Sequence, residues 1–455
     1  MTTVVTANKQ TFRNYMQFLL GQLVSMLGSN IISFVMIWWV TVNYENPLYL
    51  SLIYFFAVGT GVIVSPIGGV FADRWNRKKI IFISDSLIVF CSLLYFLIMT
   101  YQSFMSDMLT LWLIIAVVFF SSIVGSFQRP AVFSIIPLMV PKDKLSRLNG
   151  LRFVLFGAIT IVGPAVGAIL YELWPINYII LIDICSWAIA LTPLILLKIP
   201  PTPREKTEEI KEKKPSFVSE FKEGLSYMKG IKGLLGLALI ATFINGFEQP
   251  LFTLRPAFVK YLHGGSATDL AIVVAAGQIA MFSSGIFLTI KKEWKRHTLI
   301  LMIALYVQIV GIILQSVAPI GKMWFIAMGA AVTSLTFPFT NTMINTVFQI
   351  VIAPDKQGRV GSIVGSIASA VTPIAMLVSG PIANAIGYVP LFVGSILIGG
   401  IIITALWIFT NLGHLDLKVE EIKQKEKEIK ELEEQITFEK IEREEVPATI
   451  FTSED

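Results

Sequence analysis

Two charged residues seven positions apart, Glu248 and Arg255, interrupt an apolar run over roughly residues 234–260. An ionisable group inside such a run is costly in lipid and marks a candidate for ion or proton movement. On a continuous helix, seven residues make two turns, so the pair would share one face about 10.5 Å apart along the axis. Pro250 stands between them and can bend that face toward a cavity. Burial disfavours a charged carboxyl, whereas a nearby cation favours it. Glu248 could thus load and release a proton as Arg255 moves in and out of reach. The plainer alternative is a static pair, or a pair at the outer mouth, since Arg255 is nearer that surface.

Asp183 and Asp85 lie in other apolar runs, and each reads either as a functional acid or as a hydrogen-bonded helix-packing residue. Arg129, beside Pro130, is a gating or substrate cation, or it snorkels to the interface. Uncharged polar residues are more frequent. Gln22, Asn30, Asn245, Gln249 and Gln278 are candidates to line a wet cavity. So are Asn341, Asn345 and Gln349, which repeat every fourth residue and form one polar helix face; in lipid such a face must meet protein or water. No nucleophile–histidine–acid group, metal cluster or phosphate-binding glycine loop appears, and no cofactor is implied. The pattern is not that of an enzyme. With no nucleotide site, transport energy would have to come from a gradient.

The elements that must position these residues are membrane helices. Hydrophobic residues make up 55% of the chain and charged residues 15%, and mean hydropathy is +0.71. A soluble fold could not hide that much apolar surface. About twelve apolar runs of helix-spanning length are present. In the first half they cover roughly 15–42, 48–71, 80–101, 109–137, 147–171 and 177–198 (runs 1 to 6). In the second they cover roughly 234–260, 269–290, 297–318, 322–352, 358–386 and 388–411 (runs 7 to 12). Pro130, Pro250, Pro256, Pro338 and Pro373 can kink or break the longest of them. Cys91 and Cys185 fall inside runs and read as small buried hydrophobes.

Residues 1–411 hold 29 basic against 17 acidic residues, a net +12, whereas the tail from Leu412 holds 7 against 14, a net −7. The positive charge is confined to alternate loops, so it speaks for membrane topology and against nucleic-acid binding. It predicts that both termini are cytoplasmic in a multi-pass protein of the cell membrane. The predicted organisation is a six-helix bundle over 1–199, a cytoplasmic linker over 200–232, a second bundle over 233–411 and a charged tail over 412–455. Within the linker, Phe217, Phe221, Leu225 and Met228 recur at helical spacing and predict a surface helix along the membrane. In the tail, Leu415, Ile422, Ile429 and Ile436 recur every seven residues, with lysines at 418 and 425 where a second apolar row belongs. That reads as a short coiled coil or as a solvated helix. Run 5 contains Gly163-Pro164-Ala165-Val166-Gly167, and run 11 contains Gly380-Pro381-Ile382-Ala383-Asn384. Their matching places predict a duplicated six-helix unit. Gly361 and Gly365 in run 11, like Gly163 and Gly167, permit close helix contact.

The loop between runs 2 and 3 reads G-V-F-A-D-R-W-N-R-K-K from Gly69 to Lys79. It resembles the hallmark G-x-x-x-D-R/K-x-G-R-R/K of the major facilitator superfamily, with Gly69, Asp73, Arg74, Arg77 and Lys78 matching. Asn76 replaces the second glycine and tolerates a left-handed backbone. The resemblance implies that Asp73 faces the start of run 11 and that the cations tie neighbouring helices, latching one state of the carrier; an anion at a helix N-terminus is favourable. Gly150, Gly163, Pro164 and Gly167 match the antiporter motif of run 5, while Ile159 and Ala168 depart from it. The stretch from Phe127 to Gly150 looks like the drug-exporting branch that includes macrolide efflux proteins. The run 4 arginine of proton-coupled members has no counterpart, Ser121 falling near its place, which draws attention to Glu248.

The resemblance implies an all-α membrane protein, with twelve transmembrane helices in two pseudo-symmetric six-helix bundles. It implies a secondary exporter of amphiphilic or hydrophobic compounds in exchange for protons, acting as a monomer. Under it Glu248, Arg255 and Asp183 are the proton-coupling candidates. Gly69, Asp73, Arg74, Arg77, Lys78, Asp85 and Arg129 are the gating candidates. Alternatives are a lipid or siderophore exporter, an uptake carrier, or a scaffold that binds a partner through its acidic tail.

Overall fold

The computed structural model describes residues 8–197, 199, 217–291 and 294–444. Twelve of its helices are long and apolar enough to cross a membrane. Spans 1 to 6 cover Lys9–Asn43, Pro47–Ala72, Arg77–Phe104, Asp107–Met139, Lys142–Leu173 and Ile176–Leu196. Spans 7 to 12 cover Leu234–Leu262, Ala267–Ile290, His297–Ser316, Met323–Val351, Pro354–Ile386 and Tyr388–Phe409. The protein is a multi-pass membrane protein. An even number of crossings leaves Lys9 and Phe409 on one side, called here the terminal end; the other is the far end.

The two halves pair their helices in the same way. In the first, span 1 packs on 5 and 6, span 3 on 4 and 6, and span 2 on 4. In the second, span 7 packs on 11 and 12, span 9 on 10 and 12, and span 8 on 10. Between the halves, span 2 meets span 11 and span 5 meets span 8. This two-fold exchange is the pseudo-symmetry of two six-helix bundles. An apolar cluster runs through both, from Val40 and Leu111 to Leu237, Leu305 and Phe392, all fully buried.

Prolines act unevenly. Span 7 breaks at Glu248, between helices Leu234–Phe247 and Gln249–Ala257, and span 10 breaks at Thr336, between Met323–Leu335 and Phe337–Val351. Pro250 and Pro338 stand two residues past the breaks and have no N–H to give the preceding turn, which ends each preceding segment. Pro256 is followed by a wide turn at Phe258–Leu262. Pro130 and Pro373 lie inside unbroken helices.

The loop after span 2 departs from expectation. Asn76 has φ −68°, so it is not left-handed; its side chain accepts from the Lys79 N–H at 3.1 Å and caps span 3. An N-cap is what a short polar residue offers here, and glycine would offer less.

The linker helix, Phe217–Gly230, packs on the C-terminal half. Met228 is buried with Leu234, Ile352 and Val360, and the Tyr227 hydroxyl accepts from the Ala353 N–H at 3.2 Å. It braces spans 7 and 11. Residues 200–216, the rest of the linker, lie outside the described residues. The tail helix, His414–Glu444, divides in two. Leu415 and Val419 are buried, and Asp416 accepts from the N–H and hydroxyl of Thr298 at 2.9 and 2.6 Å, capping span 9. Ile429, Leu432 and Ile436 are each more than half exposed, as in a solvated helix. Cys91 is buried, but Cys185 is exposed, because it falls on the outward face of span 6.

Candidate functional site

A cavity of about 390 Å³ runs through the C-terminal half from the break in span 7 to the terminal end. Glu248 sits at its inner limit, and Ile352 and Gln357 at its mouth. Fourteen residues separate Glu248 from the start of span 7, a depth of about 20 Å. Four predicted polar residues line the cavity together: Asn245 from span 7, and Asn341, Asn345 and Gln349 from span 10. The polar face of span 10 therefore meets open space. Its three amides are exposed while Met343 and Val347, on the opposite face, are buried. Phe337, Ile344 and Phe348 supply apolar wall. The volume suits a drug-sized ligand, and the mixture of apolar wall and few polar groups is usual for such sites.

Glu248 is 3% exposed and accepts from the Gln308 side chain of span 9. Arg255 lies near it without an ion-pair contact being made, and Tyr54 of span 2 lies near Arg255. Its guanidinium lies 4.6 Å from the Phe252 ring centre, and its Nε has no hydrogen-bond partner. The break at Glu248 ends the continuous helix on which the two were expected to share a face. Glu248 stands at the kink and Arg255 in the helix after it.

The other predicted acids are elsewhere. Asp85 accepts from Gln22 of span 1, at 2.9 Å, and from Gln128 of span 4. Asp183 accepts from Ser29 of span 1 at 2.9 Å and from Ser92 of span 3 at 2.5 Å. Neither lines the cavity. Each cross-ties three helices of the N-terminal half. Gln22 is thereby a partner of Asp85 and not a cavity residue. Asn30 donates to the Met26 carbonyl of its own helix and meets Gly163. Gln249 is buried and Gln278 is half-buried, and neither is part of the cavity wall. Arg129 is exposed.

In the hallmark loop, Lys78 donates to the Ile195 and Leu197 carbonyls at 2.5 and 2.8 Å, closing the C-terminal end of span 6. Arg74 is exposed and Arg77 half-buried. The side chain of Asp73 lies outside the described residues. Gly68, not Gly69, makes the close helix contact: a Cβ there would stand 2.2 Å from the Ser126 carbonyl oxygen, while Gly69 and Gly150 face open space.

The two glycine–proline motifs pack differently. Gly163 and Gly167 meet Asn30 and Ile31 of span 1, within one half. Gly380 meets Leu48 and Ser51 of span 2, across the halves. Pro164 sits in the unbroken span 5. Gly361 and Gly365, expected at a close contact, have nothing within 4 Å and line the cavity. At the far end the halves are joined. The Tyr261 hydroxyl donates to the Thr41 carbonyl, Asn384 donates to Asn46 at 2.6 Å, and Thr268 donates to Glu172 at 2.9 Å.

Two interior residues escaped the sequence reading. Gln308 resembles any other polar residue in an apolar run, and only folding brings it to Glu248. Arg152 is 6% exposed, between the rings of Phe133 and Phe156 at 4.9 and 5.2 Å. Its signal was plain, an arginine inside run 5, five residues past the Arg147 that begins it.

The model of the Major Facilitator Superfamily matches residues 18–374. The chain belongs to that superfamily. It is a membrane transporter and not an enzyme. Macrolide efflux protein A of Streptococcus pyogenes is 27% identical over 367 residues, covering 81% of this chain and 88% of that protein. The protein of the same name from Enterococcus faecalis is 27% identical over 314 residues, covering 69% and 94%. Among solved structures, a bacterial homologue of the iron transporter ferroportin in an inward-facing state is similar with TM-score 0.66 at 12% identity, covering 87% of this chain and 98% of that one. A bacterial homologue of the human lysosomal transporter Spinster gives 0.61 at 14% identity, covering 91% and 99%. These likenesses carry the fold.

Proposed function

We propose that this transporter exports amphiphilic compounds of the macrolide type in exchange for protons, by alternating access. The observation that carries the reading is Glu248, a buried carboxyl at a helix break, at the inner end of a cavity walled by amides and aromatic rings. The names of the relatives support the cargo class. A carboxyl there can hold a proton or face a cationic amine, and the amides of Asn245, Asn341 and Asn345 can bond hydroxyl and carbonyl groups.

The basic loops support a cell-membrane orientation with both termini in the cytoplasm. The cavity then loads from inside while the contacts of Tyr261, Asn384 and Gly380 keep the outer side shut. Export follows when the bundles over 1–199 and 233–411 rock about spans 2, 5, 8 and 11. Asp73, beside the N-terminus of span 11 in the alternate state, latches it. Asp183, held by two donors, serves as a helix tie in this reading and leaves coupling to Glu248 and Arg255. The protein works as a monomer, and its export of macrolides confers resistance.

In everted vesicles, addition of a macrolide should release protons and consume an imposed proton gradient. Glu248→Gln should abolish both responses. A Glu248→Gln protein that still couples macrolide flux to the gradient would sink the assignment.

A further inference from the structure

We propose that Gln308 is the positioning residue for the proton of Glu248. Its carbonyl oxygen accepts the hydrogen of the loaded carboxyl, while its amide keeps its bond to the other carboxyl oxygen. The inference rests on Glu248 as proton carrier, and it names the atom that accepts the hydrogen bond of the loaded carboxyl.

Gln308 lies at the middle of span 9 and is 1% exposed. Its Nε2 donates to Oε2 of Glu248. Its Oε1 is buried with no hydrogen-bond partner. A buried acceptor without a donor is costly, and native interiors rarely keep one without a reason. An ionised carboxylate can only accept, so it satisfies the amide and leaves Oε1 orphaned. A protonated carboxyl has one donor and one acceptor, the complement of a primary amide. The two then form a planar pair with two hydrogen bonds, O–H to Oε1 and Nε2–H to the carboxyl oxygen. Loading is a simple transfer. A hydronium ion in the cavity gives its proton to a Glu248 oxygen and leaves water, and no other bond changes.

The surroundings leave this task to Gln308. Arg255, on the same span, is a cation near Glu248, and Tyr54 of span 2 lies near Arg255. Spans 10 and 11 bring Asn341, Asn345, Gly361 and Gly365 to the same cavity, all uncharged. The orphaned oxygen thus makes the loaded state the one with satisfied hydrogen bonds. It also gives an ionisable group a dry resting place beside a wet cavity.

Infrared difference spectra of the purified full-length protein between alkaline and acid pH test this directly. The carboxylic C=O band that disappears in Glu248→Gln belongs to Glu248. In Gln308→Met, which keeps the volume and removes both bonding atoms, that band should move to higher wavenumber. The pH profile of proton-driven efflux should shift, and the rate should fall about tenfold, near the upper worth of one neutral hydrogen bond. Should Gln308→Met not fold, Gln308→Asn carries the same test, because its amide is too short to reach. An unmoved band in either variant overturns the role of Gln308 and leaves Glu248 as carrier. Absence of any Glu248 band at every pH overturns both.

Discussion

The two halves of this transporter bury the same kind of group and use it differently. In the N-terminal half, Asp85 and Asp183 each accept from two side chains on two other spans. In the C-terminal half, Glu248 accepts from one amide, stands where its helix is broken, and borders a cavity. A carboxylate held by donors from two neighbours resists movement, since moving either one strands a buried polar atom. A carboxylate with one donor and open space beside it has capacity to spare for a proton or a cargo. The helices follow the same division. Spans 1 and 4 run unbroken, whereas their equivalents 7 and 10 break at Glu248 and Thr336. Pseudo-symmetry in pairing therefore coexists with asymmetry in how the buried acids are held and in where the helices break.

Substitutions can break or sharpen this contrast. The largest effect is expected from exchanging the two acids in one assay: Glu248→Gln should reduce proton-coupled efflux to the level of empty vesicles, while Asp183→Asn retains coupling. Equal loss of coupling in both would erase the distinction between the halves. Gly380→Val should come next. A Cβ there would stand 2.6 Å from the Leu48 Cα, and such overpacking costs about 1–3 kcal/mol. The far end should loosen, so a cysteine at Asn384 should label faster than in the parent. Asp183→Asn itself should cost about 1–2 kcal/mol, as the Ser29 and Ser92 hydroxyls lose a charged acceptor; thermal unfolding in detergent measures it. Asn345→Leu should weaken cargo binding about fivefold, one hydrogen bond, with stability unchanged. Asp416→Ala removes the cap on span 9 and should cost about 1 kcal/mol while leaving coupling intact, so the tail anchor is separable from the cavity.

Particular residues show where sequence reasoning reached and where it stopped. The twelve spans were legible because lipid demands about twenty apolar residues from every crossing helix, whatever its neighbours. The face formed by Asn341, Asn345 and Gln349 was legible as a face, since helical period alone sets it. Its exposure to a cavity was not, because the opposing surface comes from span 11, where Gly361 and Gly365 leave space. Glycines at that spacing look the same in sequence whether they close a contact or open one. Asp85, Asp183 and Glu248 were indistinguishable as lone acids in apolar runs. Their partners lie 43 to 154 positions away and follow only from packing.

The sequence by itself determined that the chain crosses a membrane and how often. Local hydropathy and loop charge act on each segment independently of the rest. Only the tertiary structure decided which buried carboxyl is tied to two neighbours and which borders a cavity with a single donor. That choice depends on the number of donors that distant helices bring to each oxygen. The Gln308 oxygen that stays unpaired beside Glu248 appears in no local pattern, and it exists because spans 7 and 9 meet.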